Sequence, residues 1–294
     1  MAREEIAVVT GSSTGIGFET SLALARNGFH TYATMRKLEG GEGSSKHITD
    51  IAKNENLPLQ VIQLDVDNDN SVFDAINRIL RENNRIDVVV NNAGYALVGA
   101  LEETSMDEIK AQFETNFFGA VRVMQAVIPA MRENRHGRIV NITSMGGRIA
   151  IPLDSIYHAT KFALEGLSES VQYEVEPFGI KIILVEPGAV GSNFWKNLKM
   201  AATKAPGHDS KNNDSPYRQI ENNMSESFKQ MVQNTIHPSE VARVILQAVI
   251  AHNPDFRYVV GKDAAAILET RRSMSDREFQ NFIKKQFNLH NVIS

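Results

Sequence analysis

Seven short, β-branched runs recur along the chain, each followed by a longer stretch of helical spacing: Ile6 to Thr10, His30 to Met35, Gln60 to Leu64, Ile86 to Asn91, Gly137 to Thr143, Ile180 to Glu186 and Phe256 to Gly261. Apolar runs without polar alternation suit strands buried on both faces, as in a parallel sheet covered by helices. Helical segments between the runs suit right-handed crossovers. The expected fold class is therefore α/β, a doubly wound, seven-stranded parallel sheet.

The 294 residues carry no internal repeat and no linker before about residue 190, so one domain is expected, over residues 1–263. From Lys196 to Pro238 the periodicity lapses: Gly207, Asp209, Asn212, Asn213, Asp214 and Pro216 interrupt it, and Met200, Met224 and Met231 are scattered among polar residues. A mobile substrate-binding flap flanked by short helices is expected there, within 196–238. A helix is expected to restart at Ser239 as N-cap and to run from Glu240 to Ala251. The tail, 264–294, reads as helical and amphipathic in places, with no role apparent from its residues.

Cysteine is absent, which excludes disulfides, thiolate catalysis and cysteine-ligated metal; no metal site is expected. A hydrophobic share of 42%, a charged share of 22% and a net charge of −4 give no reason to expect a nucleic-acid or anionic-membrane partner. Ile6 to Val9 is too brief for the core of a signal peptide, and no stretch approaches the roughly 18 apolar residues of a membrane helix. A cytoplasmic protein that inserts into no membrane is expected.

Directly after the first run comes Thr10-Gly11-Ser12-Ser13-Thr14-Gly15-Ile16-Gly17, then a helical segment from Phe18 to Arg26. Strand, glycine turn and helix in that order form an anion site: glycines let the backbone approach a pyrophosphate, which the N–H groups and dipole at the helix start favour. The spacing is Gly-x-x-x-Gly-x-Gly rather than Gly-x-Gly-x-x-Gly. A dinucleotide site then needs a group for the adenosine ribose, and NAD-selective proteins place an acid at the end of the second strand. Here that end reads Thr34-Met35-Arg36-Lys37. With no carboxylate available, Arg36 is suited to a two-pronged contact with a 2′-phosphate, which favours NADP(H) over NAD(H); the alternative is that Arg36 and Lys37 are solvated surface charges.

Tyr157 and Lys161 lie four apart in a segment of helical spacing, Tyr157-His158-Ala159-Thr160-Lys161, and so share a helix face. An ammonium roughly 5 Å from a phenol, at an effective dielectric of about 20, favours the phenolate by on the order of 3 kcal/mol, or about two pKa units. The pair is a candidate proton shuttle. Taken alone, a tyrosine and a lysine four apart are much more often a packed ring and a surface charge. The fifth run, however, delivers Ser144 just past its carboxyl end, where open α/β sheets hold ligands and where a hydroxyl can stabilise charge on a substrate oxygen; the fourth ends at Asn91-Asn92-Ala93-Gly94 on the same edge.

With these pieces placed, the chain resembles the short-chain dehydrogenase/reductase family from about Glu5 to Asp263. The resemblance is carried by TGSSTGIG at 10–17, LDV at 64–66, NNAG at 91–94, Asn116 in TNFFGA, Ser144, YHATK at 157–161 and PGAV at 187–190. It implies a Rossmann fold and a catalytic set of Asn116, Ser144, Tyr157 and Lys161, in which Ser144 orients the carbonyl, Tyr157 transfers the proton, Lys161 lowers the tyrosine's pKa and binds the nicotinamide ribose, and Asn116 holds a water. It implies cofactor contacts from Gly11, Ser13, Thr14, Gly15, Ile16, Gly17, Asp65, Val66, Asn92, Ala93, Gly94, Pro187, Gly188, Val190 and Ser192, in addition to Arg36, Tyr157 and Lys161. Ser192 stands where a threonine is often found and keeps the hydroxyl. ATMR at 33–36 and NNAGYALVGALEE at 91–103 look most like the branch of steroid, retinol and other lipophilic-carbonyl reductases, which usually prefers NADP(H). A homodimer or homotetramer, packed through the helices after the fourth and fifth strands, is implied in the same way.

The function expected is hydride transfer between NADP(H), with NAD possible, and a ketone, aldehyde or alcohol. The competing expectations are a dinucleotide-binding regulator without turnover and a sugar-nucleotide epimerase or dehydratase. Leu97, Val98, Leu153, Phe194, Trp195 and the flap methionines are candidates to line an apolar substrate pocket, and each fits ordinary core or lid packing equally well.

Overall fold

The computed structural model describes residues 4–38, 43–192, 198–201 and 215–289. The main sheet contains β1 (Ile6–Val9), β2 (His30–Met35), β3 (Leu59–Gln63), β4 (Val88–Asn91), β6 (Gly137–Ile142), β7 (Ile180–Pro187) and β9 (Arg257–Val260). Each falls within two residues of an expected run. A separate parallel pair joins β5 (Leu97–Val98) to β8 (Lys199–Met200).

The spatial order is β3-β2-β1-β4-β6-β7-β9, and every neighbouring pair is parallel. The chain starts centrally at β1, winds outward to β3, then returns to the other side of β1 as β4. That reversal opens a crevice at the carboxyl edge between β1 and β4, the position at which open α/β sheets bind ligands.

The non-alternating strands are explained by two cores. On β1, Val8 joins a cluster with Ile76, Val123 and Ile182, whereas Ala7 and Val9 join another with Leu24, Val241 and Ile245. The first core is capped by α3 (Asp69–Asn83), α5 (Gly119–Glu133) and α6 (Ser155–Val175), the second by α1 (Gly15–Arg26) and α8 (Pro238–Ile250). With both faces of the sheet covered, the central strands carry apolar residues in succession rather than in alternation. A smaller cluster packs α2 (Ser44–Asn54), through Ile48 and Ile51, onto Leu22 and Met35.

Helix α4 (Met106–Phe113) runs into α5 through a π-helical turn at Glu114–Phe118. Beneath the crevice, Asn91 Nδ2 donates to Asn141 Oδ1 (2.8 Å) and Asn141 Nδ2 donates to Ser168 Oγ (2.8 Å). This buried polar rung locks β4, β6 and α6 together under the ligand edge.

Two expectations are corrected. Helix α8 starts at Pro238, with His237 as N-cap in a capping box with Glu240, because proline at the first helical position lacks only an N–H that would have had no partner. Within the expected flap, α7 (Arg218–Gln233) is a helix of 16 residues rather than a short one; Gly207, Asp209, Asn212, Asn213 and Asp214 lie outside the described residues. Beyond β9 come α9 (Lys262–Ser273) and α10 (Asp276–Gln286). No described helix is long and apolar enough to cross a membrane.

Candidate active site

The glycine turn lies between β1 and α1, with Thr14 as the helix N-cap. Gly11 and Gly15 adopt φ of +67° and +62°, where a side chain would be strained. Gly17 is needed for a different reason: a Cβ there would lie 2.4 Å from Asn92 Nδ2 and 2.5 Å from the Gly11 carbonyl oxygen. Asn92 accounts for that closeness, since its Nδ2 donates to the carbonyls of Thr10 (2.9 Å) and Gly11 (3.1 Å). Thr10 Oγ1 in turn accepts from the backbone N–H groups of Asn92 (3.0 Å) and Ala93 (3.1 Å). NNAG therefore holds the turn in shape as well as bordering the ligand space.

A cavity of about 1180 Å³ spreads over this edge of the sheet. Its wall includes Gly11, Ser13, Thr14, Gly15, Ile16, Arg36, Asp65, Val66, Asn92, Ala93, Gly94, Ser144, Tyr157, Lys161, Pro187, Gly188, Val190 and Ser192. Gly17 and Asn116 lie behind it. Arg36 is exposed at the end of β2 and has no ion pair among the described residues. The turn, the open helix start and the absence of room for Cβ atoms fit a dinucleotide pyrophosphate.

Ser144 ends the turn after β6. Its Oγ accepts from the Gly146 N–H (3.0 Å) and hydrogen-bonds Tyr157. Lys161 is buried, its Nζ donates to the Ile142 carbonyl (2.8 Å) and stands 5.6 Å from the centre of the Tyr157 ring. Asn116, in the π turn, accepts from the Tyr95 N–H (3.0 Å) and donates to the Tyr95 carbonyl (2.9 Å) and to Thr160 Oγ1 (3.2 Å). A π turn re-aims a side chain that a regular helix would carry elsewhere, and here it brings Asn116 against α6.

The electrostatics correct one expectation. Burial pushes the Tyr157 phenol up, with Asp154 adding to the rise and the Ser144 hydrogen bond opposing it. Loss of water around the phenolate is the largest cause. Lys161 itself is pushed down to about 8 by burial, against the pull of Glu165.

Four residues near the site escaped the reading of the sequence. His158 is buried; its Nδ1 donates to the Gly146 carbonyl (2.7 Å), which leaves Nε2 to accept from the Ile151 N–H (3.1 Å). Burial lowers its pKa, so a neutral imidazole staples both ends of the turn that carries Ser144. Asp154, one turn before Tyr157, borders the cavity and is pushed up to about 7 by burial. Glu165, one turn beyond Lys161, is buried and pairs with Arg257 (3.2 Å). Asp263, on α9, accepts from the Ala189 N–H (2.7 Å) and so clamps the PGAV segment. Spacing of four from Tyr157 or Lys161 was the available signal for Glu165; Asp263 acts across the fold and left none.

The expected pocket residues are largely elsewhere. Leu97 and Val98 are buried in the β5–β8 pair, Leu153 is half-buried with its carbonyl accepting from Gly99 N–H (2.7 Å), Met224 is buried and Met200 is exposed. None of these five borders the cavity. Phe194, Trp195 and the side chain of Met231 lie outside the described residues. Beyond Ser144 the wall includes Met145, Ile149, Ile151, Ile267, Phe282 and Ile283, together with polar residues such as Asn223, Glu226, Thr270 and Gln286.

A parallel sheet with its reversal at β1/β4 and a glycine turn at that crevice places the chain among α/β dinucleotide-binding oxidoreductases. The family model described as short chain dehydrogenase matches residues 5–202. A 3-ketodihydrosphingosine reductase from Bacteroides thetaiotaomicron is 36% identical over 257 residues, 87% of this chain and 88% of the relative. Retinol dehydrogenase 8 from Bos taurus is 38% identical over 256 residues, 85% and 79% of the two chains. A solved short-chain dehydrogenase from Streptomyces avermitilis superimposes with a TM-score of 0.77 at 31% identity, covering 97% of each chain. Two further structures of this fold hold dinucleotides: ElxO with NADP (TM-score 0.72, 25% identity, 90% and 99% covered) and a Burkholderia phymatum protein with NAD (0.78, 20%, 95% and 97%), the latter a likeness of fold alone. The chain belongs to the short-chain dehydrogenase/reductase family. It is an oxidoreductase of CH–OH or carbonyl groups that uses a nicotinamide dinucleotide, which removes the regulator and the epimerase from the competing readings.

Proposed function

We propose that the enzyme is an NADP(H)-dependent carbonyl reductase, reversible as an alcohol dehydrogenase, with Tyr157 as proton donor and an apolar ketone or aldehyde as substrate. The observation that carries this reading is the Ser144–Tyr157 hydrogen bond on the cavity wall, with the buried Lys161 ammonium 5.6 Å from the ring. The dinucleotide, when bound, supplies the hydride for reduction and takes it for oxidation. The protein's part is proton transfer and positioning. A substrate oxygen placed within reach of Ser144 and Tyr157 meets two hydroxyl donors, which favour the charge that develops as the carbonyl is reduced. A phenol is protonated at neutral pH, as a donor for reduction must be.

Preference for NADP(H) is supported by Arg36, which ends β2 without a carboxylate beside it in sequence and without an ion pair among the described residues. Apolarity of the substrate is supported by Met145, Ile149 and Ile151 beside the Ser144 turn. Asn116 is assigned a positioning role through its bonds to Tyr95 and Thr160. Exposed Phe118 and Phe162, at the start of α5 and on α6, support a homo-oligomer packed through these helices.

The test is steady-state loss of reduced-nicotinamide absorbance with NADPH and NADH across aliphatic, aromatic and fused-ring ketones. Turnover favouring NADPH is expected, falling by about a hundredfold or more in Tyr157→Phe. Equal turnover in the variant would remove Tyr157 from the mechanism.

A further inference from the structure

A buried carboxylate beside the catalytic pair takes no part in the chemistry described above. Glu165 lies one turn beyond Lys161 on α6, and both side chains are buried. The turn that carries Ser144 closes over them: a Cβ on Gly147 would stand 2.9 Å from Glu165 Cγ and 3.3 Å from the Lys161 carbonyl oxygen. Glu165 Oε2 accepts from Arg257 Nε (3.2 Å). The same Nε stands 3.2 Å from Oε1 of Glu186 on β7, and Arg257 Nη2 donates to the exposed Glu169 (3.4 Å). Glu186 is fully buried and also pairs with Arg148, just after the Ser144 turn (3.2 Å).

Two cations, Arg148 and Arg257, thus meet three carboxylates, Glu165, Glu169 and Glu186, and the Lys161 ammonium brings the group to neutrality. The other charged or titratable groups around α6 are placed differently. Tyr157 shares the Lys161 face, Asp154 and His158 lie at the start of the helix, and the π turn meets α6 with the neutral Asn116. On α4, Asp107 and Lys110 are exposed, and Glu108 is held by the Ser105 hydroxyl. Burial raises the Glu165 carboxyl, with Glu186 adding to the rise and Thr143 and Arg257 opposing it. Glu165 in turn opposes the burial that takes Lys161 down to about 8. Because Tyr157 is pushed up, Lys161 is the first of the catalytic pair to lose its proton as pH rises.

We propose that Glu165 is a positioning residue: it is the buried counter-ion of Lys161 and sets the alkaline limit of turnover, with Arg257 holding its carboxylate ionised. The inference rests on the proposed role of Lys161 in carbonyl reduction. A permanently charged guanidinium in contact favours the carboxylate. A carboxylate four residues from an ammonium on one helix face favours the ammonium in the same way. Without that negative charge the ammonium loses its proton at lower pH, and turnover that needs the ammonium fails with it.

The test compares full-length wild type with Glu165→Gln, which keeps the shape of the side chain and removes its charge, and with Glu169→Gln, the same change on the exposed turn of α6. Nuclear magnetic resonance of protein labelled at the lysine Cε follows the titration of Lys161, its signal assigned by its absence in Lys161→Met. The wild-type midpoint is expected at about 8. In Glu165→Gln it is expected to fall by about one to two units, as a lost unit charge roughly 6 Å away predicts at an effective dielectric of about 20; in Glu169→Gln it stays. The alkaline limb of kcat with NADPH and 2-octanone is expected to move by the same amount in Glu165→Gln alone. If thermal melts show Glu165→Gln unfolded, Glu165→Gln/Arg257→Gln, which leaves no arginine stranded, replaces it with the same expectation. If wild type reduces no ketone, the reductase reading fails, and a lowered Lys161 midpoint in Glu165→Gln still supports the pairing. A midpoint that stays in Glu165→Gln, one that falls equally in Glu169→Gln, or a lowered midpoint with an unmoved kcat limb would each overturn the inference.

Discussion

The two ends of the cavity are built differently. The dinucleotide end is mostly main chain, with glycines at positive φ, a helix start and carbonyls held by Asn92. The far end is mostly side chains drawn from distant segments: the loop after β6, helix α7 and the α9–α10 hairpin. Main-chain sites demand particular residue types at fixed spacing, so one turn can recognise a ligand part common to many reactions. Side-chain walls demand only volume and apolarity, so they vary freely and set which substrate enters.

Lys161→Met should have the largest effect on the catalytic side of this contrast, lowering kcat by about a hundredfold or more. It should also stabilise the protein. A lysine pushed down to about 8 from 10.5 binds fewer protons in the folded than in the unfolded chain, so its charged form opposes folding below pH 8 and the penalty fades as pH rises toward 10.5. The methionine variant should therefore gain on the order of 1 to 3 kcal/mol at pH 7, with the difference shrinking in alkaline buffer. Melts across pH check this, and a destabilised variant at pH 7 would show that the Ile142 contact outweighs burial.

Gly17→Ala probes the main-chain end at a residue that does not itself border the cavity. The added methyl meets Asn92 and the Gly11 carbonyl, so the turn must open, at about 1 to 3 kcal/mol. Calorimetry should find NADPH binding weakened about tenfold or more, and unchanged affinity would mean that the turn's shape is not what selects the ligand. Arg36→Ala sharpens the contrast within the same end: NADPH affinity should drop by about tenfold, with NADH affinity nearly constant. An equal fall for both would assign Arg36 to structure rather than to the 2′-phosphate.

Asp154→Asn tests stability at the site rather than ligand binding or turnover. Its carboxyl, pushed up to about 7, binds more protons in the folded state, so the stability it contributes is present at acid pH and is lost as pH rises through 7. The asparagine variant should be more stable than wild type at pH 8 by on the order of 1 to 4 kcal/mol, with a smaller gain at pH 5. Paired melts at these two pH values decide it.

The same division explains what could be read from residues alone. The strands and the glycine turn were legible because burial on both faces and positive φ leave direct marks on residue choice. Tyr157 and Lys161 were legible as neighbours on one helix face, but the balance of their pKa shifts was not, since it depends on how much water the fold removes. Leu97 and Val98 stood open between pocket and core because apolarity near NNAG does not distinguish a wall from a strand; only pairing with β8 does. The hairpin residues Ile267, Phe282 and Ile283 left no mark, because an amphipathic helix looks the same whether its apolar side meets protein or ligand.

The central claim is hydride transfer gated by Tyr157. It is tested most directly by a single turnover with NADPH deuterated at the transferable nicotinamide position and 2-octanone, followed by mass spectrometry of the alcohol. The account predicts one deuterium on the carbinol carbon with wild type and almost none with Tyr157→Phe over the same time. Deuterium in the alcohol at equal rates from both proteins would contradict it.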